Sequence, residues 1–218
     1  MGLRELKKEQ TRQLIADTAW RLFADRGFDR VTVVEVAREA QVAEATVFNY
    51  FPSKEDLFYS RLEAFGTRLI EAIGARAAGE PVLVAFRRYV LDAGGLLAQV
   101  EAGDSGALER LRTVNQMIAA SPALLAREQQ AIAGYADSLA GLLAAESGAV
   151  ADDVSAHVVA NALMGVHRTL IDYVRRRVLA DDEPGQLAAD VHRVGQRAFV
   201  LLEQGLAGYG AKPSHGNS

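Results

Sequence analysis

Polar and apolar side chains suited to reading DNA lie together between residues 44 and 49. In the major groove, a carboxylate accepts from cytosine, an amide pairs with adenine, and apolar groups contact thymine methyl groups. Glu44 and Asn49 supply the two polar functions, and Ala45 and Phe48 supply the apolar ones. These four residues are therefore candidates for contacts with base edges.

Hydroxyl groups nearby suit the second task of DNA binding, which is to hold the phosphate backbone. Thr46 and Tyr50 carry such hydroxyls on the same stretch. Thr32 precedes a predicted short helix, whose first N–H groups have no partner within the helix and attract anions. These three residues are candidate phosphate contacts.

The charge balance argues mildly against non-specific binding to nucleic acid, because the formal net charge is −4. Residues 1–60 hold nine Lys and Arg against ten Asp and Glu, so any positive surface must be local. The best candidate is an N-terminal arm, residues 1–12, with four basic and two acidic residues. Its basic residues are Arg4, Lys7, Lys8 and Arg12.

Ordinary structural roles compete with the DNA-contacting interpretation. Phe48 is either a base contact or part of the core, and Tyr50 either donates its hydroxyl or only packs. Glu44, at the start of a predicted helix, also favours the helix dipole without any ligand. The residue types alone leave these alternatives open.

The composition is that of a globular protein of one or two domains: 218 residues, half of them hydrophobic, with no cysteine. We find neither a signal sequence nor an apolar run of about 18 residues, and predict a cytoplasmic protein without a membrane partner. No Ser/His/Asp set, phosphate loop or metal-ligand cluster stands out. We therefore predict no enzyme activity, cofactor or metal.

Helical spacing of apolar residues runs through nearly the whole chain and predicts an all-α fold of about nine helices. Gly27 is expected to end the first helix in a left-handed cap, with Phe28 packed back on Phe23. Thr32 and Glu35 have the spacing of a capping box. The predicted helices are 5–26, 33–40, 44–51, a fourth from 54 to about 69, then 81–99, 106–119, 122–146, 153–180 and 186–207.

Residues 33–51 have the form of a helix-turn-helix, which by spacing alone is also compatible with two packed helices of any α-helical core. The residues themselves are more specific. The stretch "TVVEVAREAQVAEATVFNYFPSKEDLF", preceded by "LFADRGFDRVTV", resembles the DNA-binding domain of the TetR family of transcriptional regulators. The resemblance covers about residues 10–65.

This resemblance implies a three-helix DNA-binding head, residues 1–52, and an effector-binding and dimerisation body, residues 53–210, followed by a disordered tail, residues 211–218. Lys54 matches the phosphate-binding lysine of the family. The implied function is a sequence-specific regulator, by default a repressor released from a palindromic double-stranded operator by a small-molecule effector. An activator, or a DNA-binding dimer without an effector, remains an alternative.

Two residues depart from the usual family pattern just before the recognition helix. Gln41 stands where glycine is common, and a left-handed backbone there is expected to cost about 1 kcal/mol. Ala43 stands where Ser or Thr usually caps the helix, so about 1 kcal/mol of capping is expected to be missing. We predict a weakened turn.

The last two long helices are the predicted dimer interface, because they are rich in small and apolar residues. The alternative is an ordinary pair of helices within one chain. The small residues concerned are Ala160, Ala162, Gly165, Gly195 and Ala198.

Polar residues on mainly apolar body helices are the candidates for effector binding, although a satisfied core group is the alternative at each. They are Asn115, Met117, Tyr135, Asn161, Met164, His167 and Arg168. Asn161, Met164 and Arg168 share a helix face by their spacing. If Arg168 is buried, its guanidinium requires an anion, either Asp172 or an acidic ligand.

The C-terminal part from about His157 to Tyr209 resembles actinobacterial TetR members that bind acyl-CoA-like effectors. This resemblance implies an acyl-CoA-like ligand or a hydrophobic acid. The run Arg175, Arg176 and Arg177 either meets the phosphates of such a ligand or is a solvated helix end.

Overall fold

A computed structural model describes residues 2–60, 64–93, 106–148, 154–180 and 184–205, and these residues form ten α-helices and no strand. The predicted all-α class is thus confirmed. The helices are α1 (Leu3–Arg26), α2 (Val33–Glu39), α3 (Glu44–Tyr50), α4 (Lys54–Tyr59), α5 (Ala64–Gly74), α6 (Val82–Arg88), α7 (Ala107–Ala120), α8 (Pro122–Ser147), α9 (Ser155–Leu179) and α10 (Pro184–Gln204).

Around α4 to α6, only parts of two predicted helices lie within the described residues. The predicted fourth helix is described as two helices, α4 and α5, on either side of residues 61–63. The helix predicted over 81–99 is described up to Ala93, with a π-helical turn at Tyr89–Ala93. Its remainder, like the predicted disordered tail, lies outside the described residues.

The end of α1 is set by Gly27, although not in the predicted conformation. Its φ of 82° is positive, as predicted, but its ψ of 151° lies outside the left-handed helical region. The Gly27 N–H still donates to the Phe23 carbonyl at 2.8 Å. Phe28 turns back as expected, and its ring centroid lies 5.1 Å from that of Phe23.

The predicted capping box at the start of α2 is present. The Thr32 hydroxyl accepts from the Glu35 N–H at 3.2 Å, and the Glu35 carboxylate accepts from the Thr32 N–H at 2.9 Å. Behind this cap, Val36 and Ala37 are buried. The second helix therefore packs against α1 and α3 through an apolar face.

One hydrophobic core joins the head to the body. It contains Phe23, Val47 and Phe58 from the first, third and fourth helices, together with Ile118 of α7 and Leu124 of α8. The boundary placed after residue 52 remains a prediction, but α4 packs as part of the head. The head therefore rests on the corner between α7 and α8.

A further core lies inside the body, where residues of α5, α6, α8, α9 and α10 meet. Its most buried residues include Leu69, Phe86, Leu139, Leu163 and Phe199. None of the described helices is long and apolar enough to cross a membrane.

The segment 74–80, at the junction of α5 and α6, is held by ion pairs. Arg76 pairs with Glu146 of α8, and Glu80 pairs with Arg88 of α6. The end of α5 is thereby fixed against the body helices.

Candidate functional site

The recognition helix α3 presents the predicted base-reading residues to the surface. Glu44, Ala45 and Asn49 are exposed, and Phe48 is 46% exposed, which rules out a core role for its ring. Val47 is 1% exposed and anchors the helix in the head core. The exposed face is thus free for a groove of DNA, while the contact itself remains a prediction.

The turn before α3 has both expected departures from regular geometry. Gln41 has a φ of 56°, the only positive φ of a non-glycine residue in the described part of the chain. Ala43 is the N-cap of α3 and makes no side-chain capping hydrogen bond. A left-handed non-glycine residue costs about 1 kcal/mol, so this turn carries strain.

The candidate phosphate contacts differ in how available their hydroxyls are. Thr46 and Tyr50 are half-buried. The exposed Thr32 donates its hydroxyl to the Glu35 carboxylate at 2.9 Å, so a phosphate would compete with that bond. Their role at the DNA backbone remains a prediction.

Lys54 has contacts inside the protein that the sequence did not suggest. Its Nζ donates to the carbonyls of Phe28 and Val31, both at 3.1 Å, and lies 4.1 Å from the Phe28 ring centroid. An ammonium group has three donors, so two are engaged in tying α4 to the turn before α2. Lys54 thus has a structural role beside its predicted phosphate contact.

The predicted N-terminal arm lies almost entirely within α1, which begins at Leu3, two residues before the predicted start of that helix. Its basic residues Arg4, Lys7 and Lys8 are exposed on the first turns of that helix. Arg12 instead lies over the Phe51 ring, with its guanidinium carbon 5.2 Å from the ring centroid.

The body contains a cavity of about 200 Å³ among α4, α5, α7, α8 and α9. Its lining is mostly apolar and aromatic, with a polar group of side chains at one part of the wall. The lining residues are Tyr59, Phe65, Leu111, Val114, Asn115, Ile118, Arg127, Glu128, Ala131, Ile132, Tyr135, His167, Ile171, Val174 and Arg175.

Three of the seven predicted effector contacts, Asn115, Tyr135 and His167, line this cavity. Tyr135 lies directly against α5, where a Cβ on Gly66 would come within 2.0 Å of its ring. Glycine is therefore required for α5 and α8 to approach at this point.

The other four predicted contacts lie elsewhere. Met117 is buried in the core shared with the head. Asn161, Met164 and Arg168 line a different cavity between α8 and α9. Arg168 is exposed, so the expected buried guanidinium is not found there. The shared face was predicted correctly by spacing, but spacing did not show whether that face pointed to the protein interior.

The buried guanidinium belongs to Arg175, and the solvated-end interpretation of this residue is wrong. Its side chain is 10% exposed. It donates to Asn115 at 3.1 Å, to Glu128 at 2.6 Å and to Asp172 at 3.4 Å. Asn115 and Glu128 lie 60 and 47 positions away in sequence, so no local pattern indicates this cluster.

His167 is a cavity-lining residue that has a buried polar atom without a hydrogen-bond partner among the described residues. It is 2% exposed, and its Nδ1 has no hydrogen-bond partner in the described part of the chain. Its ring stacks on Phe65 with centroids 4.5 Å apart and an interplanar angle of 5°. Burial lowers the pKa of His167 to about 4, so the imidazole is neutral at neutral pH.

Two further lining residues, missed by the sequence analysis, connect the cavity to the head. Tyr59 of α4 donates its hydroxyl to the Leu124 carbonyl at 3.0 Å, and burial raises the pKa of that hydroxyl. Arg127 pairs with Asp56 of α4 at 2.7 Å. Burial acts to raise the pKa of Asp56, but hydrogen bonds from Arg127 and Ser53 outweigh it and lower the pKa.

A helix-turn-helix joined to a helical body with a cavity between its helices defines the class of protein as a DNA-binding regulator. The model of bacterial regulatory proteins of the tetR family matches residues 15–60, and that of the MftR C-terminal domain matches residues 80–207. The chain therefore belongs to the TetR family of transcriptional regulators, with a C-terminal domain of the MftR type.

Individual relatives agree with this assignment. The transcriptional regulator TcmR of Streptomyces glaucescens is 29% identical over 153 residues, which cover 70% of this chain and 67% of TcmR. The mycofactocin biosynthesis transcriptional regulator MftR of Mycobacterium tuberculosis is 27% identical over 167 residues, covering 73% of this chain and 77% of MftR.

Among solved structures, NalD of Pseudomonas aeruginosa, described as the secondary repressor of the MexAB-OprM multidrug efflux pump, shares the fold. Its TM-score is 0.54 at 18% identity, and the match covers 88% of this chain and 97% of NalD.

Proposed function

We propose that this chain is a repressor that binds a palindromic operator as a homodimer and leaves it when a small molecule occupies the body cavity. The observation that carries this proposal is that Tyr59 and Arg127 line the cavity and also form contacts between α4 and the body. A ligand in the cavity therefore touches the residues that position α4.

Exposure of α3 supports sequence-specific DNA binding. Glu44 and Asn49 are exposed polar groups on a helix held in place by buried Val47. Direct readout needs polar and apolar groups on one exposed element that fits a groove. A repressor of this design reads one half-site with each head.

Dimerisation through α9 and α10 is supported by apolar side chains left in solvent. Val154, Val158 and Val200 are 68%, 62% and 39% exposed. Val154 and Val158 lie one helical turn apart at the start of α9, and exposed apolar residues that lie together indicate an interaction surface. Two heads held by such a two-fold interface read half-sites about 34–36 Å apart, or a multiple of that distance.

Not all the small residues on these helices serve that interface. Ala162 is exposed, and Gly165 has open space where a Cβ would lie. Ala160 is completely buried within the chain, and a Cβ on Gly195 would lie 2.5 Å from the Leu91 side chain. The face available to a second subunit therefore includes Ala162 and Gly165 rather than Ala160 and Gly195.

Thermodynamic linkage between ligand binding and DNA binding provides the mechanism by which the protein leaves its operator. A ligand lowers operator affinity only by the difference in its affinity for the DNA-bound and unbound arrangements of the heads. Two contacts transmit a change of the cavity wall to the head: Tyr59 to Leu124, and Arg127 to Asp56. The alternative of a dimer without an effector lacks this coupling.

The test begins with selection of bound sequences from random duplexes, which should yield a palindrome. Operator affinity is then measured by fluorescence anisotropy for wild type and for Ala131→Trp, which fills the cavity without a ligand. We expect a loss of about fivefold or more, the lower end of usual coupling energies. Ala145→Trp, an exposed site on the same helix, is the matched control.

Wild-type affinity in a well-folded Ala131→Trp variant would contradict coupling and favour the dimer without an effector. Transcription from the selected operator distinguishes a repressor from an activator. A repressor reduces the transcript, whereas an increase would favour activation.

A further inference from the structure

The charges around the body cavity are already balanced within the protein. Arg175 is held by Glu128 and Asp172, and Arg127 is held by Asp56. These two cations are thus matched by three carboxylates. An anionic ligand would have to displace Glu128 from a contact of 2.6 Å and enter a region without excess positive charge.

The polar side chains of the cavity wall already make most of their hydrogen bonds within the protein. Asn115 donates to the Leu111 carbonyl at 2.8 Å and accepts from Arg175, and Tyr59 donates to Leu124. His167 differs, because its Nδ1 is buried without a partner in the described part of the chain. A neutral imidazole has one donor and one acceptor nitrogen, and buried polar atoms normally find a partner.

The remaining wall is apolar and rich in rings. Tyr59, Phe65 and Tyr135 line it together with the His167 ring, and Ile132 and other aliphatic residues complete it. Aromatic rings pack well against other rings in offset or edge-to-face arrangements. A cavity of about 150 Å³ lined by apolar side chains is known to accept benzene, so the present volume suits one or two rings.

We propose that the cavity binds an uncharged aromatic molecule of one or two rings, whose single hydroxyl or carbonyl group hydrogen-bonds to the His167 imidazole. This ligand class rests on the proposed function for its regulatory meaning, but the binding itself is independent of DNA. It excludes the acyl-CoA-like ligand and the hydrophobic acid that the C-terminal resemblance implies.

The test compares three probes of similar shape by isothermal titration calorimetry on the full chain at neutral pH: 2-naphthol, 2-naphthoate and naphthalene. The naphthol is uncharged with one hydroxyl, the naphthoate is an anion, and naphthalene lacks the polar group. We expect 2-naphthol to bind at least about tenfold more tightly than either of the others, a difference of about 1.4 kcal/mol.

A histidine variant tests the assigned contact. His167→Phe retains a ring to stack on Phe65 but removes the polar atoms. It should bind 2-naphthol no more tightly than naphthalene. His157→Phe makes the same change at an exposed histidine of α9 and should retain the wild-type preference.

The ranking of the three probes on wild type remains decisive if the His167 variant does not fold. Equal or tighter binding of 2-naphthoate, or no measurable binding of 2-naphthol, would overturn the proposal. Retained preference for 2-naphthol in folded His167→Phe would overturn it too. Binding of 2-naphthol that leaves operator affinity unchanged would support the ligand class while refuting the effector-released repressor.

Discussion

Arg175 illustrates how one side chain joins distant parts of the body. Its guanidinium links Asn115 of α7 and Glu128 of α8 to its own helix, at distances of 3.1 and 2.6 Å. A buried ion pair adds little net stability compared with apolar groups, because its desolvation cost offsets the attraction. Its main consequence is a polar wall of defined geometry in an otherwise apolar cavity.

The buried imidazole of His167 makes stability depend on pH. The folded-state pKa of about 4 lies below the ordinary value of about 6.5. This contribution is fully present above the unfolded pKa and is lost as pH falls toward 4, because only the unfolded chain then takes up the proton. The charged groups Arg175 and Glu128 line the same cavity as His167, and replacing His167 leaves both of them unchanged.

Replacing His167 by Phe should therefore reduce the acid sensitivity of folding. Between about pH 7 and pH 5, wild type should lose about 2 kcal/mol more unfolding free energy than His167→Phe. Urea denaturation at the two pH values measures this difference. His157→Phe is the control, and equal losses in wild type and His167→Phe would show that folding does not lower the pKa of His167.

The recognition helix α3 lacks the end signals that its neighbour α2 has. Thr32 caps α2 with a full capping box, whereas α3 begins at Ala43 without any side-chain cap. The left-handed Gln41 lies just before it. The burial of Val47 and the packing of the head therefore hold α3 in place more than its own end signals do.

Restoring the missing cap should stabilise the head. Ala43→Ser gives α3 a hydroxyl that accepts from a first-turn N–H and should add about 1 kcal/mol of stability. Thermal unfolding measures the gain, with Ala45→Ser, an exposed site inside the helix, as the control. A lower melting temperature for Ala43→Ser would mean that the cap geometry differs from that described.

At the scale of the whole molecule, the apolar face of α9 has no covering partner within the described residues. Val158 is 62% exposed on this face, close to the exposed Ala162 and the open Gly165. The proposed dimer accounts for this exposure, because a two-fold interface places the same face on both subunits.

Val158→Asp should break that dimer, because a charge at a two-fold apolar interface is buried without a partner. Light scattering after size-exclusion chromatography should show the mass falling from dimer to monomer. Val34→Asp, the same change at a head residue that is 55% exposed, should remain a dimer. A dimeric Val158→Asp would place the interface elsewhere.

The sequence by itself determined the helical class, the capping box of α2 and the strained turn at Gln41. Each depends on neighbours within a few positions along the chain, where helical spacing and capping chemistry act. Local spacing also correctly placed Asn161, Met164 and Arg168 on one face of α9.

Only the tertiary structure decided which body residues line the cavity. His167 is buried and Arg168 is exposed although they are adjacent, because His167 lies on the side of α9 that faces the cavity and Arg168 does not. The same packing places Glu128 and Asn115 against Arg175, and Asp56 against Arg127. These contacts join residues 47 to 71 positions apart, and no local pattern along the chain encodes them.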